Sequence, residues 1–90
     1  MLGAGSQGQY GRLTASGVVK AESGLLVGFF VASGTPTLKL QDNATGATDP
    51  IILNTTAALT AGTWYPLPAL FVRGLYATLG GAGDITFIYQ

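Results

Sequence analysis

Residues 24–41 read GLLVGFFVASGTPTLKLQ, and this stretch predicts two strands joined by a turn. In residues 37–41, Leu38 and Leu40 alternate with polar side chains, the pattern of a strand with one buried face. Residues 33–36 carry the serine, glycine and proline of a turn. Residues 24–33 are apolar on both faces of a regular strand, with Leu25, Val27, Phe29 and Val31 on one face and Leu26, Gly28, Phe30 and Ala32 on the other.

A strand that is apolar on both faces must be covered on both sides. We expect one face of residues 24–33 to lie in the core. The other face, with Phe30 at its centre, is then expected to contact a partner. The alternative is that loops or the N-terminal segment of the same chain cover it.

Short apolar runs separated by turn residues continue along the chain, at a spacing of about 8–14 residues. The runs predict strands at residues 11–19, 24–33, 37–41, 51–57, 63–72, 75–79 and 84–89. A short helix near residues 55–59 is a weaker alternative, because threonine disfavours helices. The pattern predicts an all-β fold, a single antiparallel β-sandwich of about seven or eight strands, jelly-roll-like, over residues 11–90.

Pro66 and Pro68 lie two residues apart within the strand predicted at residues 63–72. Their missing N–H groups therefore fall on the same side of that strand. A central strand would lose two ladder hydrogen bonds, so we expect this strand at the edge of a sheet. The prolines also protect that edge against pairing with other chains.

The composition indicates a chain whose surface is partly covered by other proteins. Charged residues make up 9% of the 90 residues, apolar residues 48%, and the net charge is zero. Ordinary domains carry about 25% charged residues, and a soluble monomer needs charge to stay dispersed. We therefore expect a subunit of a permanent assembly. There is no cysteine for a disulfide, and the longest apolar run, residues 25–32, is too short to span a membrane.

Residue content and spacing argue against catalysis and against a bound cofactor or metal. The chain has no histidine and no cysteine, which removes the Ser-His-Asp triad, the Cys-His pair and most zinc sites. Ser16 and Lys20 are about 13 Å apart along a strand, too far for a Ser–Lys pair. Residues 42–46 resemble the start of a calcium loop, but Ala44 replaces a ligand and no glutamate closes the loop. We expect no catalytic, cofactor-binding or metal-binding residues.

Two other binding signals are also weak. Residues 3–8, GAGSQG, match the G-x-G-x-x-G fingerprint of dinucleotide sites, yet only two residues precede the first glycine and no strand can lead into it. The four basic residues are scattered and offset by four acidic ones, so we expect no nucleic-acid partner. Residues 1–10 are instead predicted to be an extended arm that contacts a neighbouring protein during assembly.

Two segments resemble a known group of proteins. These are residues 25–46, LLVGFFVASGTPTLKLQDNATG, and residues 74–90, GLYATLGGAGDITFIYQ. With their T-L-x-L-x-D and G-L-Y-x-T-L-G-G-x-G-D patterns, they resemble small β-sandwich virion proteins of tailed bacteriophages. Such proteins serve as capsid decoration (cement) proteins or as head and tail fibre components. The likeness extends over about three quarters of the chain, leaving out the arm.

The resemblance implies a non-enzymatic structural protein on the capsid surface of a virion. Its partners would be the major capsid protein or other virion proteins and neighbouring copies of itself, in a homo-oligomer for which a trimer is one arrangement. The residues expected at the interface are Tyr10, Arg12, Leu26, Phe30, Trp64 and Tyr65. The alternative function is a fibre or spike module that binds host surface carbohydrate on an aromatic platform of Trp64, Tyr65 and Tyr76.

Overall fold

The computed structural model describes residues 9–46, 50–55 and 57–90, and these residues form eight strands and no helix. The strands are β1 (Gln9–Leu13), β2 (Gly17–Lys20), β3 (Gly24–Gly34), β4 (Thr37–Gln41), β5 (Ile51–Asn54), β6 (Thr63–Phe71), β7 (Leu75–Gly80) and β8 (Gly83–Tyr89). The all-β prediction is therefore confirmed. The single strand predicted over residues 11–19 is wrong, because residues 14–16 separate β1 from β2 and the two strands join different sheets.

The strands form two antiparallel four-stranded sheets, with orders β1-β8-β3-β6 and β2-β7-β4-β5. We call the first of these the front sheet and the second the back sheet. Strand β1 pairs with β8, β2 with β7, β3 with β6 and β4 with β5. The chain is thus a long hairpin whose strand pairs alternate between the two sheets, and this topology is that of a jelly roll. The predicted jelly-roll-like sandwich is confirmed.

Alternating side chains of both sheets meet in one apolar core. In β4, Leu38 and Leu40 are almost completely buried, as the alternation of residues 37–41 predicts. Phe29 packs at the centre, with its ring centroid 6.0 Å from that of Phe87. The remaining buried apolar residues are Leu26, Val31, Leu59, Phe71, Leu75, Ala77 and Ile85.

The predicted division of β3 into two faces is partly wrong, because the strand contains a β-bulge. The register shifts between Leu26 and Gly28 against both β8 and β6. Because side chains alternate with a period of two, the extra residue exchanges the two faces on one side of the bulge. Leu26 therefore enters the core with 0% exposure. Leu25, expected in the core, instead lies opposite the exposed Leu70 of β6.

Strand β6 lies at the edge of the front sheet, and among the described strands it pairs with β3 alone. This confirms the prediction from Pro66 and Pro68. Both prolines lie on the outer side of the sheet, where they are exposed. The other three edge strands, β1, β2 and β5, have only four or five residues each.

The sandwich begins earlier than the predicted boundary between an arm of residues 1–10 and a domain of residues 11–90. Gln9 and Tyr10 already belong to β1, where they pair with Tyr89 and Ile88. These two residues form a strand because β8 offers them a free edge, which local sequence does not reveal. The rest of the predicted arm, residues 1–8, lies outside the described residues.

Asp42 organises the connection by which the chain passes from the front sheet to the back sheet. Its carboxylate accepts hydrogen bonds from the backbone N–H groups of Val72, Arg73 and Gly74, at 3.0, 2.7 and 3.3 Å. Gly74 has a φ of +154°, and a Cβ there would lie 2.8 Å from the Cα of Ala44. Asp42 therefore serves as a structural residue that joins the loop after β4 to the β6–β7 connection.

Candidate protein-binding face

The outer side of the front sheet carries a continuous group of apolar side chains, which we call the apolar face. It exists because outward positions on four strands that are distant in sequence lie next to each other in the sheet. Many of its large side chains are well exposed, including Phe30 at 38%, Trp64 at 42% and Leu70 at 76%. The apolar face consists of Tyr10, Leu25, Phe30, Trp64, Pro66, Pro68, Leu70 and Ile88.

Phe30 and Trp64 form the centre of the apolar face, directly opposite each other on β3 and β6. The indole of Trp64 lies over Gly28, where a Cβ would come within 2.6 Å of its Cζ2 atom. A side chain at this position would push the indole off the sheet. Gly28 therefore lets the outward-facing indole lie close against the backbone of β3.

The only two charged residues on the strands of the front sheet, among the described residues, neutralise each other. Arg12 of β1 donates from Nε to Oδ1 of Asp84 at 2.9 Å and from Nη2 to Oδ2 at 2.7 Å. The hydrogen bond from Arg12 holds the pKa of Asp84 below its ordinary value, and the same bond raises the pKa of Arg12. The apolar face is thus bordered by a closed ion pair and carries no unpaired charge.

The structure brings four of the six predicted interface residues to this side of the front sheet: Tyr10, Arg12, Phe30 and Trp64. Whether they contact a partner stays a prediction. The prediction that Leu26 lies at the interface is wrong, because the bulge turns its side chain into the core.

Tyr65 also differs from its predicted place at the interface, because it points inward from β6. Its ring stacks on that of Phe29 with the centroids 5.2 Å apart. Its hydroxyl accepts a hydrogen bond from the N–H of Thr60 at 2.9 Å. Tyr76 lies on β7 of the back sheet. The predicted aromatic platform of Trp64, Tyr65 and Tyr76 is therefore wrong, since the three rings occupy different surfaces.

Sequence reasoning missed several members of the apolar face, and one signal could have found some of them. Along β6 the exposed positions are Trp64, Pro66, Pro68 and Leu70, in strict alternation with more buried residues. An outward row that is entirely apolar is as informative as the double-sided pattern of residues 24–33. Ile88 has no comparable local signal, because its neighbours come from β1 and β3.

The outer side of the back sheet is more polar. Strand β4 presents Thr37 and Lys39 there, and β7 presents Tyr76 and Thr78. Val18 of β2 is 40% exposed, close to the 38% of Phe30. Ile51 of β5 is also 48% exposed, so the back sheet mixes polar and apolar side chains, whereas the front sheet has the larger apolar group.

A cleft of about 210 Å³ opens between the edge strands β5 and β6. Its polar groups are already engaged within the chain, since the hydroxyl of Thr55 bonds to the backbone of Leu38 and that of Tyr65 to Thr60. The cleft therefore offers apolar contacts and no group suited to acid–base chemistry. Its lining consists of Phe29, Leu53, Thr55, Leu59, Tyr65, Pro66 and Leu67.

Neither a metal site nor a membrane-spanning helix is found in the described residues. They contain no group of three or more histidine, cysteine, aspartate or glutamate side chains that could hold a metal ion. They also contain no helix of the length and hydropathy needed to cross a membrane. Asp42 and Asp84 are both engaged in structural contacts, with backbone N–H groups and with Arg12 respectively.

Comparisons with protein-family models, curated proteins and solved structures find no match to this chain. The observations that bear on function are therefore the apolar face and the composition of the chain.

Proposed function

We propose that this protein is a non-enzymatic structural component of a tailed-bacteriophage virion, a decoration protein on the capsid surface. It binds the major capsid protein and neighbouring copies of itself and so strengthens the shell. The observation that carries this proposal is the apolar face, whose large side chains are exposed and whose flanking charges are closed into one ion pair.

Covering such a face is energetically favourable. Removing apolar surface from water contributes roughly 25 cal/mol per Å², and Trp64, Phe30 and Leu70 all keep a large part of their surface exposed. Tryptophan and other aromatic residues are enriched among the residues that dominate binding energy at protein interfaces. The low content of charged residues, 9%, supports the same reading, because a chain that works alone in solution needs more.

The fold is compatible with this role but does not select it. Jelly rolls occur in viral capsid domains and also in lectins, and a fold by itself does not imply a function. The alternative, a fibre or spike module that binds carbohydrate, loses the platform predicted for it because Tyr65 faces the core. Trp64 remains available to a ligand from outside, so the test below includes this alternative as an outcome.

Mass spectrometry of purified phage particles whose genome encodes this chain tests the proposal. We expect a copy number within a few fold of that of the major capsid protein. Particles assembled without the chain should break at a lower temperature, and adding the purified chain should restore their stability. Absence from particles contradicts the proposal, and so does a copy number of only a few per particle, which would favour the fibre or spike alternative.

A further inference from the structure

We infer that the apolar face is the contact surface between two copies of this chain, packed front sheet against front sheet about a two-fold axis. The inference deepens the proposed function and rests on it, because a shell protein that binds neighbouring copies needs a surface for them. Three observations lead to this partner, namely the charge, the edges and the size of the face.

Charge is the first observation. In a two-fold interface the same surface serves both partners, so an unpaired charge near the axis would face its own copy and repel it. The front-sheet strands avoid this, because Arg12 and Asp84 are joined by hydrogen bonds of 2.7–3.1 Å on the same chain. The front-sheet strands therefore carry no unpaired charge that would repel a second copy. A strongly charged partner would find no counter-charge on these strands.

The edges of the front sheet are the second observation. Association by strand addition needs a row of free backbone N–H and C=O groups along a sheet edge. The longest edge strand, β6, has nine residues, and Pro66 and Pro68 remove two of its N–H groups. At the opposite edge, β1 has only five residues. Two copies are therefore expected to meet through side chains of the face rather than through a continuous sheet.

The size of the face is the third observation. Strands β1, β8, β3 and β6 have 5, 7, 11 and 9 residues. At about 3.3 Å per residue and about 4.8 Å between strands, they give a flat surface of roughly 500 Å². Projecting side chains raise its accessible area towards the ~800 Å² per partner of a standard interface. The face is thus large enough for a stable dimer when most of it is covered.

The first test uses the complete natural chain. Light scattering during gel filtration should give twice the 9.2 kDa chain mass at micromolar concentration. Trp64 is the only tryptophan, so its fluorescence reports directly on the face. Dilution to concentrations at which the dimer dissociates should shift the emission to longer wavelength, because water then reaches the indole. A mass of one chain at all concentrations overturns the inference, and so does association that leaves the emission unchanged.

The second test compares two glutamate substitutions at sites of similar exposure. Phe30→Glu places a charge at the centre of the face and should weaken dimerisation by about 30-fold or more. Val18→Glu, on the outer side of the back sheet, should leave the doubled mass unchanged. Circular dichroism checks that both variants are folded, and if Phe30→Glu is not, Trp64→Lys replaces it. Retention of the doubled mass by a folded front-sheet variant overturns the inference.

The two proposals fail in different ways. A chain that is abundant in particles but monomeric in solution would overturn the two-fold dimer and leave the decoration role intact; the capsid protein would then be the partner of the face. A dimer that is absent from particles would overturn the decoration role.

Discussion

Replacing Asp42 with asparagine removes one negative charge from a buried position with almost no change in shape. The carboxylate lies where the loop after β4 meets the β6–β7 connection, and it is 9% exposed. Three consecutive N–H groups, of Val72, Arg73 and Gly74, point at it. An asparagine side chain has one acceptor oxygen in place of two, and its NH₂ group cannot accept from an N–H.

The expected loss follows from these contacts. Hydrogen bonds to a charged group contribute about 1.5–3 kcal/mol and neutral ones about 0.5–1.5 kcal/mol, a difference of about 1 kcal/mol for each bond. The bonds from Val72 at 3.0 Å and Arg73 at 2.7 Å are short, and the one from Gly74 at 3.3 Å is longer. We therefore expect Asp42→Asn to lower the free energy of unfolding by about 2–3 kcal/mol, or the unfolding temperature by roughly 10–20 °C for a domain of this size.

The pH dependence identifies the charge as the cause. Burial disfavours the charged form of Asp42, but the N–H groups of Val72, Arg73 and Gly74 and the charge of Arg73 outweigh it, so the pKa of Asp42 lies below its ordinary value. A carboxyl whose pKa is lower in the folded state stabilises the fold above its unfolded pKa of about 3.9. That contribution is lost as the pH falls through the unfolded pKa towards the folded one. The difference between the natural chain and Asp42→Asn should therefore shrink at about pH 3.

Urea unfolding followed by far-ultraviolet circular dichroism, at pH 7 and pH 3 and at one fixed protein concentration, measures both effects. Asp84→Asn is the matched control, because it removes the same charge from an ion pair whose arginine side chain is 62% exposed, so that water and salt screen the pair. Equal stability of Asp42→Asn and the natural chain at pH 7 would refute the reasoning. A stability difference of the same size at both pH values would show that the carboxylate charge is not its source.

Three further predictions test other parts of the structure. Gly28→Ala should lower the free energy of unfolding by about 1–3 kcal/mol and shift the emission of Trp64, because its Cβ would collide with the indole; an unchanged spectrum would contradict this. Leu26→Ala should lower the free energy of unfolding, measured in urea, by about 2–5 kcal/mol, and Leu25→Ala should lower it clearly less. The reverse order would contradict the bulge in β3. Thr78→Val should raise the free energy of unfolding by up to about 1 kcal/mol, because the buried hydroxyl of Thr78 has no hydrogen-bond partner among the described residues. A marked loss of stability in thermal unfolding would show that the hydroxyl is satisfied.

The sequence by itself determined the fold class and the location of one sheet edge. Alternating leucines in residues 37–41 and turn residues at short intervals predict a sandwich of antiparallel strands, and the structure confirms it. Pro66 and Pro68 predict an edge strand, which β6 is. These predictions hold because side-chain alternation and the missing N–H of proline are local properties of the chain.

Tertiary structure decided which strands are neighbours and where each one breaks. Residues 11–19 look like one strand, but β1 pairs with β8 and β2 with β7, in different sheets. In the same way Gln9 and Tyr10 become part of a strand because β8 lies beside them. Pairing partners far away in sequence supply the hydrogen bonds, so the local pattern cannot reveal these boundaries.

The candidate binding face was predicted in part. Phe30 could be identified because residues 24–33 are apolar on both sides, yet Leu25 and Leu26 exchanged places through the bulge. Leu70 and Ile88 join the face from other strands. The sequence indicated that residues 24–33 form a strand with two apolar faces. Only the register between β3, β6 and β8 decided which side chains form that surface, because a shift of one residue turns a strand's side chains to the opposite face.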